Sequence, residues 1–504
     1  MTQPHVSVIS GSDSFGVAGM QIDLQALAHL GVRCSTALTC ITAQNSEQWL
    51  GLESASTRIL EKQLDALGKA RPDAIKIGMV PKSSMISVIS DFLDSQEAPV
   101  VLDPVMGASI GPTIWDDQFT KLFNSLLLPR ITLLTPNLPE FNILTGRVTD
   151  TSLEIAQAAS PLFEKGVQAI LVKGGHREGP QVADIFLTRD FATVLSYPRL
   201  AGEFRGTGCA LSSLIAGNLA RRESLVDAIV LSKRALQEQM THAVIKGSAH
   251  LTPWQPDQKL SELPTATPLG KPSPQQFLPM DGGSIGIYPI VDRVEKMLPL
   301  IEAGITTIQL RIKDLEGEAL ASQIAQATSL CRKRRVRLFI NDYWKLAIEY
   351  QSYGVHLGQE DLEDAPLESI QKAGLRLGVS THCVSEAAVA HGVKPSYIAL
   401  GPIFETTCKS MRFGPRGIAM TNEWVQMFPE IPIVAIGGLK PQHISSLQDH
   451  GADGVAVISD IVYHENPRKR AEHWITIWNG NRLGQDSSLQ IARESNAPAH
   501  QTSL

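Results

Sequence analysis

The sequence predicts an α/β protein with two domains: a mostly parallel sheet covered by helices, followed by a (β/α)₈ barrel. Short apolar runs alternate with helical patterns through both halves of the 504 residues, which is typical of parallel sheets covered by helices. Eight such runs recur at close spacing within residues 285–479, and eight is the strand number of such a barrel. A proline-rich stretch, residues 251–284, separates the two halves.

The composition excludes several classes of partner. The net charge is −6, with 43% hydrophobic and 19% charged residues, so no basic excess favours nucleic acid or an anionic membrane. No apolar run approaches the roughly 18 residues of a spanning helix, and the first residues lack the pattern of a secretory leader. We therefore expect small-molecule substrates, no nucleic acid or membrane partner, reduced cysteines and a cytoplasmic location.

The middle of the chain reads as a linker. Seven prolines fall between Leu251 and Ser284, and proline lacks the N–H group that helices and inner strands need. No apolar period of 2 or 3.6 runs through the segment. We expect an extended, semi-rigid linker over 251–284, between domains at 1–250 and 285–479. Residues 480–504 are polar and aperiodic, and we expect them to be a disordered tail.

Five strands are predicted in the first half: Val6–Ile9, Ala74–Met79, Pro99–Leu102, Ile131–Leu134 and Ala169–Val172. Polar residues follow several of them, where open α/β sheets bind ligands. Further along, the run Gly206–Cys209 opens a helical pattern. Free N–H groups at a helix N-terminus suit a phosphate, and a thiolate is favoured there. The alternative is a glycine-bearing helix start with a buried cysteine.

Seven separated segments of the first half agree in order with one family: GSDSFGVAGMQIDLQALAHLG, ITAQNS, IKIGM, VLDPVM, TPNLPE, VKGGH and GTGCALSSLIAGNLA. They resemble the hydroxymethylpyrimidine/phosphomethylpyrimidine kinase of thiamine synthesis. The resemblance implies a ribokinase-like α/β sandwich, ATP as co-substrate with Mg²⁺, and a homo-oligomer formed through this domain. By that resemblance the aminopyrimidine site comprises Asp23, Gln44, Gly11, Ala18, Met79 and Val105. The Mg–ATP side comprises Asp103, Asn137, Glu140 and Lys173, and the anion hole comprises Gly206, Gly208 and Cys209.

The first half departs from the family pattern at several positions. Phe15 and Val17 stand where the family usually has Ser and Gly, and Ala210 stands where it usually has Thr. Phe204 and Arg205 replace part of a polar run that usually ends in His. Two alternatives therefore stay open: a non-catalytic binding or dimerisation module, and a kinase for another substrate such as pyridoxal. It also stays open whether Cys209 is a base or only part of the anion hole.

The eight strands predicted in the second half are Gly286–Val291, Thr307–Leu310, Arg337–Ile340, Gly354–His356, Leu375–Val379, Tyr397–Leu400, Ile433–Ile436 and Gly454–Val457. Barrel active sites lie at the C-terminal ends of such strands. Two cations, two separated aspartates and a hydroxyl follow these ends, which predicts a Mg–diphosphate site. Glycines after strand seven and N–H groups after strand eight match the phosphate position of barrels. His356 is expected to be a packing residue near the mouth.

The second half also resembles a known family, through YPIVD, TTIQLRIKD, RLFINDYWKLAIEYQSYGVHLGQEDL, LGVSTH, YIALGPIF, AIGG and GVAVIS. These segments are similar to thiamine-phosphate synthase. By that resemblance the pyrimidine diphosphate is bound by Gln309, Arg311, Lys313, Asn341, Ser380 and Lys409. Mg²⁺ is bound by Asp342 and Asp361, and the thiazole phosphate by Thr406, Gly438, Ile458 and Ser459. Cys408 departs from the family, which usually has a hydroxyl residue there, and a thiol is a weaker donor.

Together the resemblances imply a bifunctional transferase of thiamine biosynthesis. Its first half would phosphorylate 4-amino-5-hydroxymethyl-2-methylpyrimidine and then the monophosphate, using ATP. Its second half would join the diphosphate to thiazole phosphate and release pyrophosphate, with Arg311, Lys313 and Lys409 stabilising the leaving group. The alternative is that only the second half turns over.

Overall fold

The computed structural model divides the chain into two compact units, Met1–Pro272 and Ser273–Leu504. It describes residues 3–45, 48–107, 115–175, 177, 179–202, 204–246, 251, 263–271, 274–405 and 414–480. The predicted tail at 480–504 therefore lies outside the described residues except for Gly480. No helix in the described ranges is long and apolar enough to cross a membrane.

The first unit is built on a ten-stranded sheet in the order β10-β9-β8-β7-β6-β5-β4-β1-β2-β3. Six neighbouring strands, β2, β1, β4, β5, β6 and β7, run parallel, and the outer strands pair antiparallel. The strands are β1 His5–Asp13, β2 Arg33–Gln44, β3 Trp49–Ser54, β4 Ala74–Ile77, β5 Val100–Leu102, β6 Leu133–Leu134, β7 Ala169–Val172, β8 Gln181–Leu187, β9 Ala192–Pro198 and β10 Thr265–Pro268. The five predicted strands are β1 and β4–β7.

Six helices of the first unit form two groups. One group contains α1, α8 and α9, with α8 lying on β1, β4 and β5, and the other contains α2, α3 and α4. Gly217 allows the close approach of α1 to α8, because an added methyl would lie 2.7 Å from Leu30 Cδ1. The helices are α1 Gly19–His29, α2 Thr57–Gly68, α3 Ser83–Asp94, α4 Asp117–Leu122, α5 Leu138–Thr145, α6 Ser152–Ala158, α7 Ser160–Glu164, α8 Thr207–Ala220 and α9 Leu225–Ile245.

The second unit contains a closed barrel of eight parallel strands in chain order. The strands are β11 Gly286–Val291, β12 Thr307–Leu310, β13 Arg337–Asn341, β14 Gly354–Leu357, β15 Arg376–Thr381, β16 Tyr397–Leu400, β17 Ile433–Ile436 and β18 Gly454–Val457. Each predicted strand is present, with bounds that differ by two residues at most. Aromatic and aliphatic side chains, including Tyr288, Phe339, Tyr397 and Val434, fill the interior.

Helices follow the barrel strands along the chain. They are α10 Met297–Glu302, α11 Gly317–Arg334, α12 Trp344–Glu349, α13 Gln359–Asp364, α14 Leu367–Lys372, α15 Val384–Val393, α16 Ala419–Met427, α17 Ile444–Asp449 and α18 Ser459–Val462. A last helix, α19, covers 467–480. The predicted fold class, an α/β sandwich followed by a (β/α)₈ barrel, is confirmed by this architecture.

The structure differs from the expectation of an unpaired linker over 251–284. Strand β10 lies in this segment and pairs antiparallel with β9, while Leu263 and Ala266 are buried in the first unit. On the other unit, Phe277 is buried and its N–H donates to the carbonyl of Lys394. A short edge strand needs few apolar residues and tolerates proline at its end, so the lack of an apolar period did not exclude one.

Candidate active sites

A cavity of about 1120 Å³ opens at the C-terminal ends of the barrel strands. Every described residue that the sequence predicts for the second half lines it: Gln309, Arg311, Lys313, Asn341, Asp342, Asp361, Ser380, Gly438, Ile458 and Ser459. Thr406, Cys408 and Lys409 lie outside the described residues. The cations Arg311 and Lys313 follow β12, and the two aspartates follow β13 and β14. Gly438 and Ser459 follow β17 and β18. In a closed eight-stranded barrel, β13 and β17 lie across the axis from one another.

Asp342 and Asp361 form an acidic pair in this cavity. Burial, followed by the neighbouring Asp342 carboxylate, raises the pKa of Asp361. Lys313 Nζ forms an ion pair with Asp342 Oδ2, and the N–H of Gly358 donates to Asp361 Oδ2 at 3.3 Å. Asp342 has φ +65°, in the left-handed region, where Asp is among the better-tolerated residues. The pair holds two like charges close together at the end of two strands.

These carboxylates fit a divalent cation. Burial and then the Asp342 carboxylate raise the pKa of Asp361, and a cation would offset both effects. Carboxylate oxygens are the ligands that Mg²⁺ takes. No group of three or more His, Cys, Asp or Glu in the described ranges could hold a metal alone. Mg²⁺ commonly uses one or two carboxylates and takes its remaining ligands from substrate phosphates and water. A metal here would therefore be shared with a phosphorylated substrate.

Two glycines shape the opposite wall of the cavity. Gly437 has φ +101° and Gly438 has φ +63°. An added methyl would lie 2.7 Å from Pro402 Cα at Gly437 and 2.5 Å from Glu405 O at Gly438, so no larger residue fits either position without displacement. Lys440 also lines the cavity here. Exposed backbone next to a cation suits a phosphate group.

In the first unit, Asp103 and Lys173 meet at the C-terminal ends of β5 and β7. Lys173 Nζ lies 2.6 Å from Asp103 Oδ1, and a methyl at Gly208 would lie 3.2 Å from Lys173 Nζ. Glu140 belongs to the same group, since both charges act on it. Burial raises the pKa of Glu140 to about 7, Lys173 opposes this rise, and Asp103 adds to it. The structure thus brings the predicted Mg–ATP residues to the start of α8.

Asn137 and Glu140 also cap helix α5. Asn137 Oδ1 accepts from the N–H of Glu140 at 2.8 Å, and Glu140 Oε2 accepts from the N–H of Asn137 at 2.7 Å. This reciprocal capping box fixes both side chains at the helix start. Asn137 also bridges to Lys173 through the backbone. The local sequence therefore orients one carboxylate toward the Lys173–Asp103 pair.

Helix α8 begins at the predicted Gly206–Cys209 turn. Gly206 has φ +78°, and a methyl there would overlap the carbonyl oxygen of Val17, so only glycine fits. The expectation of a favoured thiolate at Cys209 is not supported. Burial raises the pKa of Cys209 to about 11, and the attraction of Lys76 does not offset it. The thiol is therefore neutral near pH 7, which favours the anion-hole interpretation over the base.

The turn after β1 is organised by Asp13, which the sequence analysis missed. Its carboxylate accepts from the N–H groups of Phe15, Val17 and Ala18 at 3.0–3.1 Å. Gln44 Nε2 donates to the same carboxylate at 3.0 Å. The amide of Gln44 is thus held against the glycine-rich turn. An Asp followed within six residues by Ser, Gly and Gly is a sequence pattern that could have revealed this turn.

Asp23 does not reach open space, in contrast to the predicted contact with an aminopyrimidine. It is fully buried, and it accepts from Lys76 Nζ at 2.8 Å and from Ser213 Oγ at 2.8 Å. An ion pair this deep satisfies both charges, so Asp23 has no oxygen free for a ligand in this conformation. Gly11 and Met79 lie together beside Cys40, and Val105 follows Asp103 in the chain.

Comparison with known proteins assigns both units. Residues 13–254 match the family model for phosphomethylpyrimidine kinase, and residues 287–461 match that for thiamine monophosphate synthase. The chain is 51% identical over 177 residues to thiamine-phosphate synthase of Serratia proteamaculans, which covers 35% of this chain and 84% of that protein. The chain belongs to the thiamine-phosphate synthase family.

One relative matches this chain across both units. A probable thiamine biosynthetic bifunctional enzyme of Oryza sativa subsp. japonica is 29% identical over 483 residues, 91% of this chain and 86% of the rice protein. A phosphomethylpyrimidine kinase structure from Clostridium difficile is 29% identical, with a TM-score of 0.42, and it covers 47% of this chain and 100% of its own. The two family models and the rice relative confirm that the first half resembles phosphomethylpyrimidine kinase and the second half thiamine-phosphate synthase.

Two features of the synthase domain escaped sequence reasoning. His356, expected to be a packing residue, lines the cavity and hydrogen bonds to Ser380. Tyr288 also lines the cavity. Alternation along the strands could have revealed both, because inward-facing barrel residues recur at every second position. A polar residue at the last inward position of β14 is a candidate for ligand contact or support.

Proposed function

We propose that this chain carries out successive steps of thiamine phosphate synthesis. The kinase domain phosphorylates 4-amino-5-hydroxymethyl-2-methylpyrimidine and then its monophosphate with ATP. The synthase domain joins the resulting diphosphate to thiazole phosphate and releases pyrophosphate. The observation that carries this proposal is the barrel cavity, where two carboxylates and two cations face a glycine-lined wall across the axis. Such a cavity has room for two phosphorylated substrates side by side.

In the synthase domain, the bond from the pyrimidine methylene carbon to the diphosphate oxygen breaks, and its electron pair leaves with pyrophosphate. Arg311 and Lys313 stabilise that leaving group, and Lys409 would join them. The amino group of the pyrimidine donates electron density to the cation that remains. The thiazole nitrogen then uses its lone pair to form the new carbon–nitrogen bond. Gly438, Ile458 and Ser459 hold the thiazole phosphate close to this carbon.

Mg²⁺ is part of this proposal for both domains. Asp342 and Asp361 would hold it in the synthase, where it would neutralise diphosphate charge as the leaving group departs. In the kinase domain, Asp103 and Glu140 lie on the side where Mg–ATP would bind. Lys173 neutralises the transferred phosphoryl group, and the N–H groups at the start of α8 donate hydrogen bonds to its oxygens.

The synthase proposal is tested by measuring pyrophosphate release from the full chain. Asp361→Ala should lower release at least about 100-fold, because one of two metal ligands is lost. Asp364→Ala is the matched control, since Asp364 lies on the same helix but is exposed and does not line the cavity. Release by Asp361→Ala near the wild-type rate would remove Asp361 from the metal site.

The kinase proposal is tested by pyrimidine-dependent ADP formation. Asp103→Asn should lower this rate about 100-fold, since it removes the charge that pairs with Lys173. Asp91→Asn, on the exposed side of α3, should leave it unchanged. If the wild type forms no ADP with hydroxymethylpyrimidine, the kinase assignment fails. If pyridoxal is phosphorylated in preference to the pyrimidine, the substrate assignment fails instead.

The proposal also includes a homo-oligomer formed through the kinase domain and a cytoplasmic location. The hairpin of β2 and β3 lies at one edge of the ten-stranded sheet. Ile41 and Leu50 on this hairpin are 54% and 68% exposed, and exposed apolar side chains at a sheet edge favour association. Sedimentation of the full chain tests the oligomer.

A further inference from the structure

A chain of five hydrogen-bonded side chains crosses the barrel interior beneath the cavity. Gln309 Nε2 donates to the hydroxyl of Tyr288 at 3.3 Å, and the hydroxyls of Tyr288 and Tyr397 lie 2.8 Å apart. The Tyr397 hydroxyl lies 2.7 Å from His356 Nδ1, and His356 Nε2 lies 2.8 Å from Ser380 Oγ. The chain begins and ends at residues that line the cavity.

The middle of this chain is rigid. Tyr288 and Tyr397 are 1% and 0% exposed, and the ring of Tyr397 packs edge-on against Phe339 and Tyr288 and stacks on His356. Gly378 on the neighbouring strand leaves room for the Tyr397 ring, because a methyl there would overlap it. The two tyrosines therefore cannot leave their positions without opening the barrel core.

The direction of the protons follows from the first donor. The amide nitrogen of Gln309 can only donate, so the Tyr288 hydroxyl accepts from it. The Tyr397 hydroxyl is the other hydrogen-bond partner of Tyr288 in the described part of the structure, so the Tyr288 proton is satisfied there. Tyr397 in turn directs its proton to Nδ1 of His356. A histidine whose Nδ1 accepts carries its proton on Nε2, and that proton goes to Ser380 Oγ.

The last proton of the chain then faces the cavity. Ser380 Oγ accepts from His356, and in the described part of the structure it makes no other hydrogen bond. The ring of His356 donates from Nε2 to Ser380 Oγ in this arrangement. At the other end, the use of Gln309 Nε2 by Tyr288 leaves the carbonyl oxygen of that amide available.

Resting on the proposed function, we propose that these five hydrogen-bonded side chains make the synthase specific for an aminopyrimidine. They fix Ser380 as a hydrogen-bond donor and Gln309 as an acceptor toward the pyrimidine ring. A 4-aminopyrimidine offers an amine donor beside a ring nitrogen acceptor, which matches this pattern. A 4-oxopyrimidine reverses both groups, because its oxygen accepts and its ring nitrogen carries a proton. Tyr288, Tyr397 and His356 are positioning residues that act through the two ends.

The test compares two inhibitors that cannot react, the 4-amino and the 4-oxo forms of the hydroxymethylpyrimidine monophosphate. Wild-type full-length protein should bind the amino form at least about 100-fold more tightly, since a mismatched buried polar group is strongly rejected. Tyr397→Phe keeps the ring but removes the relay hydroxyl, and it should narrow this ratio about tenfold. Tyr353→Phe is the control, because that hydroxyl accepts from Asp281 at 2.9 Å outside the chain.

Two further variants separate positioning from general damage. In a Ser380→Ala background, Tyr397→Phe should cause little further loss, because its effect passes through Ser380. A structural defect would add in full. His356→Leu should lower the ratio of affinities for the 4-amino and 4-oxo inhibitors. His356→Gln should keep most of that ratio, because its amide offers one acceptor and one donor.

The outcomes are distinct. A Tyr397→Phe ratio equal to that of Tyr353→Phe, with both variants folded and active, would overturn the inference while leaving the synthase assignment intact. Absence of pyrophosphate release from the wild type would instead overturn the proposed function itself.

Discussion

At the scale of single residues, burial decides the charge of the groups in both sites. It raises the pKa of Cys209 to about 11 and of Glu140 to about 7, and it lowers that of His356 to about 4. The buried charges of Lys76 and Asp23 persist because they pair at 2.8 Å. Each group is thus set by what surrounds it in space rather than by its sequence neighbours.

Glu140 provides a pH-dependent test of this environment. Its pKa is about 7 in the folded protein against an ordinary 4.5, so between these values the folded state binds more protons than the unfolded state. The stabilising contribution is therefore complete below about pH 4.5 and lost as the pH rises through 7. Glu140→Gln should melt about 2–4 °C higher than wild type at pH 8, with little difference at pH 5, by calorimetry without ligand.

A second capping glutamate serves as the control for that measurement. Glu154 caps α6 in the same way, but it is exposed, and backbone hydrogen bonds lower its pKa. Glu154→Gln should therefore give no gain at pH 8. Equal melting of Glu140→Gln and wild type at pH 8 would contradict the raised pKa of Glu140.

At the scale of elements, glycines permit the close contacts that build the synthase site. Gly378 on β15 faces the ring of Tyr397 on β16, and Gly438 after β17 faces the backbone of Glu405. Asp342 takes a left-handed conformation directly after β13. These positions allow strands and turns to place polar groups at one end of a filled barrel.

Gly378→Ala tests this packing. The added methyl overlaps the Tyr397 ring, and overpacking in a core costs about 1–3 kcal/mol. Urea denaturation of the full chain should show this loss in the synthase transition. Gly414→Ala should be neutral, because nothing lies within 4 Å of the added methyl. Equal urea midpoints for the two variants would mean that the barrel accommodates a methyl group at Gly378 without loss of stability.

At the scale of the whole molecule, the proline-rich segment belongs partly to each unit. Its strand β10 extends the kinase sheet from Thr265 to Pro268, and Asp281 forms an ion pair with Arg376 on the synthase side. The division between the units falls after Pro272. A domain boundary placed at residue 250 by composition would remove a strand of the kinase sheet.

Fragments of the chain test that boundary. Residues 1–272 should melt about 4 °C or more above residues 1–250, because the shorter fragment exposes the edge of β9 and loses the buried Leu263 and Ala266. Kinase activity of the longer fragment should equal that of the full chain. Identical melting of the two fragments would show that β10 contributes nothing to the kinase domain.

Most of the barrel and the residues that line its cavity could be predicted, because both depend on local sequence. Strand runs such as Thr307–Leu310 are apolar and are followed by polar residues such as Arg311. The strands β2, β3, β8, β9 and β10 were not predicted. Of these, β8 and β9 are neighbours in the chain, whereas β10 pairs with β9 from beyond residue 264, so local sequence alone does not indicate that pair. Asp13 was missed because its role rests on three backbone N–H groups of a folded turn.

By itself, the sequence determined the two domains, the eight-stranded barrel and the family resemblances, because periodicity, glycines and ordered motifs are properties of the chain. Only the tertiary structure decided that Asp23 is enclosed by Lys76 and Ser213 and that the Cys209 thiol is neutral. It also decided that hydrogen bonds join five side chains from Gln309 to Ser380. Burial and hydrogen-bond direction arise only when distant strands close around a side chain.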